Sequence, residues 1–113
     1  MKEIKAIIQP FMLTKVLTAL HKIEGLPGVT ISEVKGFGKT RRSKEKELSN
    51  EGIYEFVPKI KIEIVVRDEL AETVVNTIQE NAHTGNPGDG KIFVIEVSNV
   101  VKIRTNERGE EAI

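Results

Sequence analysis

Residues 59–66 read Lys-Ile-Lys-Ile-Glu-Ile-Val-Val, with Ile60, Ile62, Ile64 and Val66 on one face and Lys59, Lys61 and Glu63 on the other. Successive side chains of an extended chain point to opposite faces, so this alternation specifies a strand with one face in a core. Any fold for this chain must cover that apolar face and give the charged one a different environment.

The remaining patterns arrange themselves around this strand. Ile4, Ala6 and Ile8 alternate with Lys5, Ile7 and Gln9 in a first strand, ended by Pro10. Leu13, Val16, Leu17, Leu20 and Ile23 recur at helical spacing up to Gly25. Val29 and Ile31 open a second strand that runs to Val34, before Gly36-Phe37-Gly38. After the central strand, Asp68 is the expected N-cap of a second helix with an apolar stripe of Leu70, Val74, Ile78 and Ala82. Ile92 to Val97 form a fourth strand, Val100 to Ile103 continue it or start another, and Asn106 to Glu111 read as a polar tail.

This order, β-α-β, long loop, β-α-β, predicts an α+β fold of the ferredoxin-like βαββαβ (split βαβ) type. Four antiparallel strands would carry two helices on one face, with the long loop between strands 2 and 3. A chain of 113 residues makes one domain, 1–113, with a long flexible loop at 39–57 and a C-terminal tail at 105–113. The sheet face without helices would present Ile7, Val65, Phe93 and Ile95, which implies burial against another copy of the chain. The alternative is a monomer with a polar, exposed sheet face.

The segment between Lys39 and Val57 has almost no hydrophobic periodicity. Loops of that length inside a small domain are usually functional or disordered. Lys39, Arg41, Arg42, Lys44 and Lys46 stand against Glu45 and Glu47, and Ser49, Asn50 and Gly52 follow. The segment could grip an acidic partner or form a solvated hairpin extension; its length favours the partner.

The chemistry concentrates in Gly85-Asn86-Pro87-Gly88-Asp89-Gly90-Lys91-Ile92. Glycines let backbone N–H groups turn towards an anion, and the lysine can meet a phosphate directly. The spacing fits the start of a P-loop, but Ile92 replaces the Mg²⁺-binding hydroxyl and the order is helix–loop–strand. The segment is therefore a phosphate cradle of another kind, or simply a Gly/Pro connection. Lys102 and Arg104, two apart near a strand end, would point to one face and converge on an anion. Gly36 and Gly38 permit close backbone approach at the entry to the long loop, and Lys59 stands at its exit.

Other classes find little support. Seventeen cationic side chains balance seventeen acidic ones, so no global field recruits nucleic acid or an acidic membrane. The few aromatic residues are not interleaved with basic ones, which disfavours base stacking. No apolar run approaches the ~20 residues that span a bilayer. The charged start and the lack of cysteine fit a soluble, cytoplasmic protein. The two histidines, His21 and His83, have no metal-ligand spacing and no nucleophile beside them, so neither a metal site nor an enzyme is expected.

Together these residues resemble the PII signal-transduction family over nearly the whole chain. The matching blocks are Lys5-Ala6-Ile7-Ile8-Gln9-Pro10, Val34-Lys35-Gly36-Phe37-Gly38, residues 58–66, Thr84 to Val94, and Lys102-Ile103-Arg104-Thr105. The resemblance implies a homotrimer with ATP or ADP in the clefts between subunits. By motif, Thr30, Glu63 and Val65 would contact the adenine end. Gly38, Gly88, Asp89, Gly90, Lys91, Lys102 and Arg104 would hold phosphates, the last two from the adjacent subunit. Gly36 and Lys39 would also belong to the nucleotide site, and Lys59 would reach the γ-phosphate or 2-oxoglutarate. Mg²⁺ would accompany the nucleotide. The long loop, through residues 40–56, would engage a target protein such as an ammonium transporter, a metabolic enzyme or an efflux system.

Three positions depart from the family pattern. Gly52 stands where uridylylated members carry tyrosine, and the only tyrosine is Tyr54. Lys39 replaces an arginine, and Thr40 replaces the glutamine that helps to hold Mg²⁺ and 2-oxoglutarate. Nucleotide binding should survive these changes, whereas Thr40 argues against the usual 2-oxoglutarate response. Residues 19–26 and 106–112 look more like a divergent branch found with heavy-metal efflux systems. A trimeric metal-tolerance protein of similar fold and a slow ATPase are the alternative readings.

Overall fold

The computed structural model describes residues 1–37 and 55–113. Strand β1, Lys2–Ile8, is central, and its alternation places Ile4, Ala6 and Ile8 in the core. On one side it pairs antiparallel with β3, Val57–Val66, with Ile4 opposite Ile64 and Ile8 opposite Ile60. On the other it pairs antiparallel with β4, Gly90–Glu96, with Ile8 opposite Gly90 and Lys2 opposite Glu96. Strand β2, Thr30–Gly36, completes a sheet of order β2-β3-β1-β4, in which every neighbouring pair is antiparallel.

Both helices cover the same face. Helix α1, Leu13–His21, and helix α2, Asp68–Ala82, pack together and bury Val16, Leu20, Val74 and Ile78 against Ile4, Ile62 and Ile64. Helices whose apolar residues recur every three or four positions expose one stripe, and that stripe seals the apolar face of the sheet. The βαββαβ expectation is met. Among the described residues no helix is long and apolar enough to cross a membrane.

The bounds differ where backbone contacts outweigh local pattern. The chain enters α1 through a 3₁₀ turn, Pro10–Met12, and α1 ends at His21, short of the periodic Ile23. Strand β2 begins one residue after Val29. The N-cap of α2 is Arg67, in extended conformation (φ −66°, ψ 152°), so Asp68 is the first helical residue, not the cap. An acid in the first turn still complements the helix dipole.

The largest correction follows β4. Residues 100–103 do not form a strand; only an isolated bridge joins Val101 to Arg108. A closed turn replaces it, with Lys102 N–H donating to Glu107 O at 2.9 Å and Asn106 N–H to Lys102 O at 2.7 Å. Gly109–Ala112 then form a 3₁₀ turn that buries Ala112 and sets Glu110 against Arg67 at 2.9 Å. The segment read as a polar tail is folded onto the domain.

Ile7, Val65, Phe93 and Ile95 do lie on the helix-free face. Phe93 pairs with Lys5, Ile95 and Val65 with Glu3, and Ile7 with Lys61 and Lys91. The same face therefore carries charged side chains between its apolar ones. At the far end of β2 and β3, Gly36 pairs with Val57, and the rings of Phe37 and Phe56 meet edge to face, 5.6 Å apart. That contact closes the base of the long connection; the body of the loop read at 39–57 lies largely outside the described residues.

Candidate functional site

Helix α2 gives way at His83, whose ψ of 127° leaves the helical region, and the glycine-rich segment runs from there into β4. The order is helix–loop–strand. Asp89 organises the turn: its carboxylate accepts from the Thr84 N–H at 2.8 Å, the Gly85 N–H at 2.9 Å and the Thr84 hydroxyl. The Asn86 N–H donates in turn to Thr84 Oγ1 at 3.1 Å. These donors, the Thr84 hydroxyl foremost, hold the Asp89 carboxyl below the usual carboxylate range. Asp89 thus spends its side chain on the loop, and only its backbone is left to face an anion.

A carboxyl held low in the folded state stabilises at every pH above its ordinary value and loses that effect as pH falls through the folded value. Amide-exchange protection at Thr84 and Gly85 should therefore persist from neutral pH to below the ordinary carboxylate range and be lost as pH falls through the lower folded value. At pH 7, Asp89→Ala should lose the same protection; protection that survives this substitution would show another group holding the turn.

Two glycines are required by backbone angle, and Gly90 by space as well. Gly90 has φ +106°, and a Cβ there would lie 1.7 Å from the Ile7 carbonyl oxygen. Gly88 has φ +94°, and a Cβ there would lie 3.0 Å from Gln9 Nε2 and 3.6 Å from Lys59 Nζ. Lys59 also donates to the Gly88 carbonyl at 2.7 Å, tying β3 to the loop. Lys91, opposite Ile7, is exposed on the helix-free face. Gly36, Lys59, Gly88, Gly90 and Lys91 thus gather at one end of the sheet. Behind them, between α2 and β4, lies a cleft of about 360 Å³ lined by Ile78, Ala82, His83, Asp89 and Ile92.

The other residues singled out in the sequence lie elsewhere. Thr30 pairs with Glu63, and Val65 lies two residues further along β3, all on the helix-free face. From Lys59 to Val65 the strand advances about 20 Å. Lys102 and Arg104 occupy a turn that follows the opposite end of β4, where Val97 N–H donates to the Met1 carbonyl at 3.0 Å. They do not share a strand face, so the alternation argument for their convergence fails. Lys102 Nζ meets Glu107 of its own turn at 3.4 Å, and Thr105 followed by Lys102 hold the Glu107 carboxyl low. Gly38, Lys39 and Thr40 lie outside the described residues.

Two residues of this region were named in the sequence within matching blocks, without a role of their own. Thr84, five residues before Asp89, is legible afterwards as a hydroxyl-and-amide donor closing a glycine-rich turn onto a carboxylate. Gln9 was read as the polar end of a strand and as part of a block that carries the resemblance, with no ligand role. Among the described residues no group of three His, Cys, Asp or Glu is placed to hold a metal ion.

Comparison with known proteins gives a consistent result. A family model described as nitrogen regulatory protein P-II matches residues 1–107. The chain is 50% identical to the nitrogen regulatory protein P-II of Azospirillum brasilense, covering 100% of both sequences. It is 49% identical to nitrogen regulatory protein P-II 1 of Escherichia coli K12, again covering 100% of each. Among solved structures, Arabidopsis thaliana PII bound to citrate is similar with a TM-score of 0.79 and 46% identity, covering 99% of this chain and 91% of that one.

Proposed function

Since this chain belongs to the nitrogen regulatory protein P-II family of signal-transduction regulators, we propose that it is a cytoplasmic, nucleotide-responsive homotrimer. ATP or ADP, with Mg²⁺ as companion, is held between neighbouring subunits, and residues 40–56 act on a target protein. A transporter, a metabolic enzyme and an efflux system all fit that role. The protein works by binding and not by catalysis.

One observation carries the reading: the candidate phosphate ligands divide between opposite ends of a single subunit. Lys59 and Lys91 stand at the Gly90 end of β4, whereas the turn that carries Lys102 and Arg104 follows its Glu96 end and is tied back there by Gly109 N–H to Val100 O and by Glu110 to Arg67. From Lys91 to Glu96 the strand advances about 17 Å, and the chain runs on from there to Lys102 and Arg104. A second copy that supplies the missing end resolves the separation, and the apolar residues of the helix-free face give that copy a surface to bury.

The cradle suits phosphate oxygens. A Cβ at Gly88 would fill the space in front of Gln9 and Lys59, and backbone N–H groups in left-handed turns make anion-binding concavities. Gly88, Gly90 and Lys91 of one subunit would hold phosphates together with Lys102 and Arg104 of its neighbour. Thr30, Glu63 and Val65 would meet the base. The citrate named for the plant relative is itself a polyanion, which is in keeping with this chemistry. Nucleotides regulate the target insofar as they differ in affinity for the conformations of residues 40–56.

Calorimetry tests the proposal. Truncating one charge-assisted phosphate contact costs about 1.5–3 kcal/mol, so Lys91→Ala and Arg104→Ala should each weaken ATP binding roughly 10- to 100-fold. Absence of heat with either nucleotide, or unchanged affinity in both variants, would contradict it.

A further inference from the structure

We infer that Gln9 is a ligand-contacting residue of the same cradle and selects for the distal, more highly charged end of the polyanion. This rests on the nucleotide reading above and assigns a role to a residue outside the glycine-rich segment.

The position of Gln9 is fixed by its backbone. Proline biases the residue before it towards extended conformation, and Gln9, ahead of Pro10, has φ −69° and ψ 137°. Its carbonyl accepts from Met12 N–H at 3.0 Å, which closes the 3₁₀ turn. An N-cap residue commonly spends its side chain on the first turn, but the Gln9 carboxamide makes no such bond.

That carboxamide lies instead in front of Gly88. Ile8 pairs with Ile60, so the next step along β1 sets Gln9 beside Lys59 on the helix-free face. Gln9 Nε2 and Lys59 Nζ both lie within 3.6 Å of the point where a Gly88 side chain would begin. A neutral N–H donor and an ammonium thus bracket one side-chain-free position, with Lys91 at the start of the adjoining strand.

A second ammonium beside Lys59 would add like-charge repulsion in the empty cradle. A carboxamide donates to a phosphate oxygen without that cost. The contact falls on whichever group Lys59 reaches, so its loss should be felt more by ATP than by ADP, which lacks the terminal phosphate.

The test is calorimetric titration of ATP and ADP into the full-length protein, Gln9→Leu, Gln9→Glu and the Lys91→Ala control. Gln9→Leu removes the donor at similar size and should weaken ATP about tenfold while ADP stays within about twofold. Gln9→Glu places a carboxylate against the phosphate and should weaken ATP further, roughly a hundredfold. Retained ADP binding in either variant also shows that the cradle is folded. Equal losses for ATP and ADP would overturn the inference in favour of a purely structural role. Unchanged affinities in both Gln9 variants, with Lys91→Ala impaired, would overturn it while leaving nucleotide binding intact. If the unmodified protein binds neither nucleotide, the nucleotide reading fails and this inference with it.

Discussion

Phe93→Lys is expected to yield a folded chain that neither assembles nor binds ATP or ADP. Phe93 lies on the helix-free face, opposite Lys5, and 45% of it is exposed in the single subunit. Ile95, 38% exposed, is two residues along the same strand, and Ile7 and Val65 share the face. Association would bury this patch, and truncating an aromatic anchor at the centre of an interface costs about 2–4 kcal/mol. A lysine adds the desolvation of a charge, and its neighbour Lys5 repels it. The helices pack on the other face, so helical circular dichroism should be unchanged. Light scattering should show monomers at micromolar concentration, with nucleotide binding lost together with assembly. A Phe93→Lys protein that remains assembled and binds ATP would show that this face is not the interface.

Gly90→Ala should be the most destabilising single-methyl change in the glycine-rich segment. Its Cβ would lie 1.7 Å from the Ile7 carbonyl oxygen and 2.8 Å from the Ile7 carbonyl carbon, both backbone atoms of the central strand. No rotamer relieves that clash, and φ +106° is itself unfavourable for an L-residue. Either β4 moves away from β1 or the loop rebuilds. A cost of about 3–5 kcal/mol places the variant among the severe substitutions, and the melting temperature should fall by more than about 10 °C. Gly28→Ala is the matched control, since a Cβ there meets nothing within 4 Å. Equal melting temperatures for the two variants would contradict the close approach of β4 to β1.

The sheet was legible because its central strands are simple. In β1 from Ile4 and in β3 from Ile60 every second residue is apolar and buried, and in the helices the stripe repeats at the interval the backbone imposes. Local periodicity failed where long-range contacts decide the path. Val97 still bonds to Met1, but beyond it the chain leaves the sheet, and the Arg67–Glu110 pair and buried Ala112 fold back what looks locally like a polar tail. Alternation therefore misread Lys102 and Arg104, which occupy a turn.

The candidate site was legible in composition and only partly in geometry. Glycines beside a lysine announce an anion cradle, but they do not reveal that Asp89 closes the turn from inside. Gln9 and Gly88 are far apart in sequence and meet because β1 and β4 are in register, with Ile8 opposite Gly90. Nor could spacing alone show that the cations of one chain stand at opposite ends of it.

That separation gives the most direct test of the central claim, that each site is shared between two subunits. Lys91→Ala and Arg104→Ala chains, each impaired alone, should be co-refolded and titrated with ATP. In a cyclic trimer built from both kinds, one interface joins an intact Lys91 to an intact Arg104. Mixed trimers should therefore recover one site of unmodified affinity, while either variant refolded alone recovers none. If the mixture binds no better than its components, Lys91 and Arg104 act within the same subunit and the shared-site account is wrong.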